Sequence, residues 1–202
     1  GSLKRQGGVH VRGATRLLLA LSLGLAAAAT PVSDALAAKK KASSARAPSI
    51  AAAIVVDMNS GSILYSQAAD ASRYPASLTK IMTAYMVFEA LRTNKLSLEQ
   101  KIPTSANAHA QPPSKLGLPV GAEITVNLAL KALIVKSAND AAVMLAEAIG
   151  GSEEAFIAQM NETARRLGMT RTRFVNPHGL PAPEQVTTAR DLARLTRIVV
   201  RE

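Results

Sequence analysis

Residues 74–91 read Tyr74-Pro-Ala-Ser-Leu-Thr-Lys-Ile-Met-Thr-Ala-Tyr-Met-Val-Phe-Glu-Ala-Leu91. Pro75 biases the residue before it away from helical geometry. Beyond it, Leu78, Ile81, Met82, Tyr85, Phe88 and Leu91 recur at the i, i+3, i+4, i+7 spacing of a helix with a buried face. That spacing predicts a helix starting at about Ser77, with Met82, Tyr85 and Met86 in the core. Ser77 and Lys80 then share one face, three positions apart, so the amine can reach the hydroxyl. A serine is a poor nucleophile near neutral pH unless a base takes its proton, and a lysine kept neutral by desolvation or nearby charge can do so. The helix N-terminus adds positive potential where negative charge develops in acyl transfer.

Upstream, the β-branched run ending at Asp57, the turn Met58-Asn-Ser-Gly61 and the run Ser62-Ile-Leu-Tyr-Ser66 predict a hairpin. Downstream, residues 93–126 contain Pro103, Pro112, Pro113 and Pro119 and sustain no long period, so loops, short strands and short helices are expected. Residues 126–149 turn helical, as two helices broken around residues 136–139 and ended by Gly150-Gly151. Ser152 before Glu153 and Glu154 reads as an N-cap with acids in the first turn, opening a helix to about Leu167. Thr187-Thr-Ala-Arg-Asp191 opens a last helix, expected still to be running at Glu202. No internal repeat is visible.

With 48% hydrophobic residues, the 202-residue chain can bury a core as one domain or two small ones. Its net charge of +10 is unevenly placed: eight Lys and Arg against Asp34 put +7 in residues 1–46, leaving +3 for the remainder. That distribution, with only 3% aromatic residues for base stacking, argues against a nucleic-acid partner. A basic stretch to Arg16, an apolar run over residues 17–29 and small residues at Ala35-Leu-Ala37 read as a secretory signal peptide over residues 1–38, hence export to the periplasm. Its run of about 13 apolar residues is short of the ~20 that a spanning helix needs. A solvated linker is expected over residues 39–48 and the folded domain over 49–202. The absence of cysteine is compatible with an oxidising compartment without requiring one. His109 and His178 sit in Pro- and Gly-rich loops with no second histidine nearby, so structural or solvent roles are expected, and no metal or cofactor. Arg165-Arg166 and the series Arg190, Arg194, Arg197 and Arg201 read as solvated helix faces.

Taken alone, the Ser-Lys pair is weak: 16 serines and 10 lysines in 202 residues yield about one Ser-x-x-Lys by chance. Ser137-Ala-Asn139 is equally short and has a second copy at Ser105-Ala-Asn107. Order and context are more specific. Tyr74-Pro-Ala-Ser-Leu-Thr-Lys-Ile-Met-Thr-Ala84, Gln111-Pro-Pro-Ser-Lys-Leu-Gly117, Val135-Lys-Ser-Ala-Asn-Asp-Ala-Ala142, Phe174-Val-Asn-Pro-His-Gly-Leu180 and Thr187-Thr-Ala-Arg-Asp-Leu-Ala193 follow one another in that order. They resemble low-molecular-mass penicillin-binding proteins of the serine D-alanyl-D-alanine carboxypeptidase type. The resemblance is collinear from about Ala52 to the end and selects Ser137 over Ser105.

The resemblance implies an α/β (α+β) transpeptidase-like domain related to the β-lactamases, an antiparallel sheet flanked by helices with a mostly helical insert. It implies Ser77 as the acyl-ester nucleophile, Lys80 as general base, Ser137 as proton relay to the departing D-alanine, and Asn139 as the group holding the substrate's backbone amide. The implied partners are peptidoglycan stem peptides and β-lactams, with inner-membrane association through a C-terminal segment that this sequence does not contain. The family's third motif, Lys-Thr-Gly, is missing: Lys115-Leu-Gly117 and His178-Gly179 belong to other blocks. The chain is therefore expected to stop before the strand that supplies a substrate-carboxylate contact and the second oxyanion N–H. Losing one such donor costs ~10²- to 10³-fold in rate. Ile54, Val55, Ile63 and Leu64 would lie on an unfinished sheet, and the 202 residues alone are expected to be inactive and poorly folded, an expectation that acyl-enzyme turnover by the isolated chain would contradict.

Three other readings compete with this one. A class A β-lactamase calls for Ser-Asp-Asn where this chain has Ser137-Ala-Asn139, and for a deacylating glutamate that is not identifiable. A D,D-endopeptidase differs around the second motif, where Ala138-Asn-Asp140 looks more like the carboxypeptidases. A non-catalytic penicillin- or peptidoglycan-binding remnant is favoured by the missing Lys-Thr-Gly.

Overall fold

The computed structural model describes residues 51–201, so the expected signal peptide and linker lie outside the described residues. Strands β1 (Ala53–Val56) and β2 (Ile63–Gln67) form the expected antiparallel hairpin, pairing Ile54 with Ser66 and Val55 with Tyr65, with an irregularity between Val55 and Val56. The turn closes through Asp57, whose carboxylate accepts the Ser60 N–H (2.7 Å) and hydroxyl (2.6 Å). These bonds hold the Asp57 carboxyl below its usual range. Among the described residues β1 and β2 pair only with each other, and Val55, Ile63, Leu64 and Tyr65 are exposed.

A 3₁₀ turn (Ala76–Leu78) leads into helix α1 (Thr79–Arg92). The periodicity forecast one buried face, but Thr79, Lys80, Thr83, Ala84 and Val87 are buried along with Met82, Tyr85 and Met86. Helix α1 is thus buried nearly all round, because helices cover it from several sides. The proline-rich stretch forms β3 (Lys101–Pro103), the short α2 (Ala106–Ala110) and β4 (Glu123–Thr125), with β3 antiparallel to β4. Helix α3 (Val126–Lys131) runs into a π-helical turn (Ala132–Lys136), and α4 (Asn139–Gly150) starts after the break expected there. Helix α5 (Glu153–Arg166) is capped by Ser152, which accepts the Ala155 N–H. Helix α6 (Ala189–Val199) is capped by Thr188 and ends short of the expected Glu202: Arg201 N–H closes a tight last turn on the Ile198 carbonyl. The mixed helices and small antiparallel sheets agree with the expected fold class.

One core gathers Val87, Val126, Leu133, Val143 and Leu145 of α1, α3, the π-turn and α4. A second gathers Met82, Phe156, Met160, Phe174 and Leu195, joining α1 to α5 and α6. The arginines of α6 correct the expectation of a merely solvated face. Arg190 forms a two-pronged ion pair with Asp70 (2.7 and 2.8 Å), Arg194 donates to the Gly168 carbonyl, and Arg197 and Arg201 donate to the Met58 and Asn59 carbonyls at the hairpin tip. Sequence reading missed these ties because their acceptors are mostly main-chain oxygens up to 143 residues away.

Phe156 of α5 is fully buried in the second core. Phe156→Ala is expected to cost about 3–5 kcal/mol, measured by urea unfolding; a loss below about 1 kcal/mol would contradict this packing.

Candidate active site

Lys80 lies on the first turn of α1, buried, with the exposed Ser77 one turn ahead on the 3₁₀ turn. Its amine donates to Asn139 Oδ1 (2.8 Å) and to the His178 carbonyl (2.6 Å). No hydrogen bond from Lys80 to Ser77 is formed. Burial lowers the Lys80 pKa from its ordinary value to about 8. A neutral amine has two N–H bonds and one lone pair. The two acceptors match the two N–H bonds, leaving the lone pair to accept a proton from a neighbouring hydroxyl. Ser77, Lys80 and Ser137 line one cavity of about 450 Å³, walled by Ile81, Phe88 and Leu133.

Ser137 reaches this cavity because the chain breaks there. The π-turn ends with Ser137 left-handed (φ 56°, ψ 37°), a conformation that costs a non-glycine residue energy and persists only where its surroundings enforce it. Those surroundings are the loop of residues 112–117. Ser114 donates its hydroxyl to the Lys136 carbonyl (2.8 Å) and accepts the Asn139 N–H at its own carbonyl (2.7 Å). The Asn139 side chain donates to the Pro112 carbonyl (2.9 Å). Asp140, fully buried, accepts the N–H groups of Leu116, Gly117 and Ala141. Both ends of the Asn139 amide are therefore engaged within the protein, one of them on Lys80.

The opposite wall is the loop of residues 174–180. Thr83 Oγ1 donates to the Pro177 carbonyl (2.7 Å) and Lys80 to that of His178. Gln185 accepts the N–H groups of Val175 and Asn176 and donates to Asn176 Oδ1, which also receives the Gly179 N–H. Gly179, at φ +90°, presses on the turn that carries the serine: a Cβ there would overlap the Ala76 carbonyl and lie 3.0 Å from the Ser77 nitrogen. Ala76 itself has φ 48°, so the residue before Ser77 is also held left-handed. His178 is buried, its pKa pushed down to about 4 by burial and then by the Lys80 charge. Its Nδ1 accepts the Leu180 N–H (3.2 Å), so the neutral ring carries its proton on Nε2.

The structure thus brings together all four expected site residues, Ser77, Lys80, Ser137 and Asn139. It leaves Ser105 apart as the cap of α2, bonded to Ala108 N–H and Glu147. His109 remains exposed, with Nδ1 at 2.7 Å from the Leu118 carbonyl. Sequence reasoning missed the His178 carbonyl and the roles of Gly179, Asp140 and Gln185. The only signal was the turn-forming Asn-Pro-His-Gly, since a carbonyl acceptor leaves no trace in side-chain identity.

The family model described as D-alanyl-D-alanine carboxypeptidase matches residues 38–202. The D-alanyl-D-alanine carboxypeptidase DacC of Escherichia coli is 40% identical over 164 residues, 77% of this chain and 41% of that protein. The D-alanyl-D-alanine endopeptidase of E. coli is 37% identical over 184 residues, 88% of this chain and 56% of that one. Among solved structures, the carboxypeptidase DacD of Francisella tularensis superposes with a TM-score of 0.72 at 43% identity, over 74% of this chain and 36% of that one. Penicillin-binding protein D2 of Listeria monocytogenes, in its ampicillin-bound form, gives 0.67 at 33% identity, over 74% and 61%. The chain spans about two fifths of the length of the first carboxypeptidases it matches.

Gly179→Ala must displace the Ala76 carbonyl, so it is expected to lower Tm by about 4 °C or more, whereas Pro181→Ala at the exposed end of the same loop should leave it nearly unchanged. Equal melting of the two variants would contradict the close approach.

Proposed function

The chain belongs to the D-alanyl-D-alanine carboxypeptidase family, and from that we propose that its site performs serine acyl transfer on the D-Ala-D-Ala end of peptidoglycan stem peptides. The observation that carries this reading is Lys80: buried, with its pKa lowered to about 8 and two acceptors for its N–H bonds, it lines the same cavity as Ser77 and can serve as its base. Ser77 Oγ attacks the carbonyl carbon between the two D-alanines while Lys80 takes the hydroxyl proton. The amide C–N bond breaks as Ser137 passes a proton to the departing amine, and free D-alanine leaves. Water then cleaves the ester, which returns the Ser77 hydroxyl and releases the shortened peptide with a new carboxylate. Asn139 orients Lys80 through one lone pair of Oδ1 and offers the other to a substrate backbone N–H.

A β-lactam presents its ring carbonyl to the same nucleophile and stays bound as an ester. The ampicillin-bound form of the Listeria relative supports this. The signal-like pattern of residues 1–38 supports placing the reaction in the periplasm. The endopeptidase relative supports a second reading, attack on cross-links between stem peptides. Released D-alanine from a linear pentapeptide, measured against cleavage of a cross-linked dimer, separates the two.

The decisive experiment is labelling with a fluorescent penicillin. An adduct that Ser77→Ala abolishes would assign the nucleophile and overturn the expectation that the 202 residues alone are inactive, whereas an adduct surviving Ser77→Ala would refute the assignment. The neutral form of Lys80 grows about tenfold per pH unit below its pKa and saturates above it. The labelling rate is therefore expected to rise from pH 6 and level off above about 8. A rate that falls over that range would contradict Lys80 as the base.

A further inference from the structure

Helix α6 has two functional sides. Thr196 and Val199 line the Ser77 cavity. Arg190, Arg194 and Arg197 of α6 and Arg201 of the turn that follows, spaced four, three and four apart, form a stripe that lines a separate groove of about 380 Å³. Like charges at i, i+3 and i, i+4 destabilise a helix, and among the described residues no acidic side chain lines the groove. Arg190 is neutralised by Asp70. The acid nearest the tip, Asp57, is engaged with Ser60 and feels Arg197 only as a weaker influence. Arg194, Arg197 and Arg201 are bonded to main-chain carbonyls, which satisfy donors without cancelling charge. Arg197 and Arg201 converge further: an Nη2 of each donates to the same Asn59 carbonyl, at 3.0 and 2.8 Å. Two guanidinium groups sharing one acceptor repel, and an anion between them and Arg194 would relieve that repulsion. The floor beneath them is apolar, made by Ile54, Val56, Ile63, Leu167 and Ile198.

We infer that this groove, between the hairpin and α6, is a binding site for a phosphate group, either free or at the head of a lipid. The chemistry follows from the donors. Guanidinium forks match phosphate oxygens two at a time, and three positive charges without an ion pair among the described residues suit an ion that carries between one and two negative ones. The apolar floor gives a lipid's glycerol and first methylenes a surface that free phosphate would leave uncovered. The site is independent of the serine chemistry, because none of these arginines lines the Ser77 cavity.

The test uses the purified protein, inorganic phosphate and vesicles. Phosphate at tenfold its dissociation constant is expected to raise Tm by about 3 °C over sodium chloride of equal ionic strength. If a lipid phosphate is the ligand, phosphatidylglycerol vesicles will co-sediment the protein and phosphatidylcholine vesicles will not. Either response supports the site, and the pair tells the two sources apart. Arg194→Gln, which leaves the hairpin ties in place, and Arg201→Gln are expected to reduce the response at least fivefold. Arg201→Lys, which keeps the charge, should retain part of it. Circular dichroism and unchanged Ser77 labelling certify that the variants are folded. Phosphate acting no differently from chloride, together with equal sedimentation on both vesicles, would overturn the inference. So would a response that both glutamine variants keep in full.

Discussion

An amine withdrawn from water loses strong hydration, and a protein tolerates the loss only by supplying hydrogen-bond acceptors and by making the charged form less favourable. Lys80 is such an amine. Its two acceptors, Asn139 Oδ1 and the His178 carbonyl, are 59 and 98 residues away in sequence. Satisfying one buried group therefore fixes three segments at once: the start of α1, the start of α4 and the loop of residues 174–180. The demand that stabilises the arrangement is also what tunes the amine, because the desolvation that makes the contacts necessary brings the Lys80 pKa down to about 8.

Each segment is braced by contacts of its own. The start of α4 is held by the loop of residues 112–117, through Ser114 and through the buried Asp140 carboxylate with its three N–H donors. The Asn-Pro-His-Gly-Leu loop is held by Thr83 and by the Gln185–Asn176 pair, and Gly179 sets its distance from the serine turn. Two residues of this junction, Ala76 and Ser137, sit left-handed without being glycine. Such strain persists only where neighbours outvote it, and here the neighbours are the two braced loops. The site is accordingly a junction between loops, mounted on α1 and α4, whose apolar faces carry the cores.

Helix α6 shows how one element serves two surfaces. Its Leu195 fills the second core, Thr196 and Val199 face the serine cavity, and its arginines tie down Asp70, Gly168 and the hairpin tip. The hairpin, whose strands pair only with each other among the described residues, is thereby fastened to the helical body through side-chain-to-main-chain bonds as well as by apolar contact.

By itself, the sequence determined the helices, whose apolar spacing and caps at Ser152 and Thr188 are local signals, and the hairpin, whose β-branched runs flank a glycine turn. It determined the four candidate site residues as well, though only because five short blocks occur in one order; Ser77 with Lys80, or Ser137 with Asn139, are each too common to carry the assignment alone. Tertiary structure alone decided that α1 is buried nearly all round, that α6 stops at Val199, and that Arg194 and Arg197 hold main-chain carbonyls. It alone placed the His178 carbonyl on Lys80 and Gly179 against Ala76. The reason is physical: capping and periodicity act within a few residues, where the sequence writes them down, whereas a main-chain oxygen is the same in every residue and becomes a ligand only when the fold brings a donor to it.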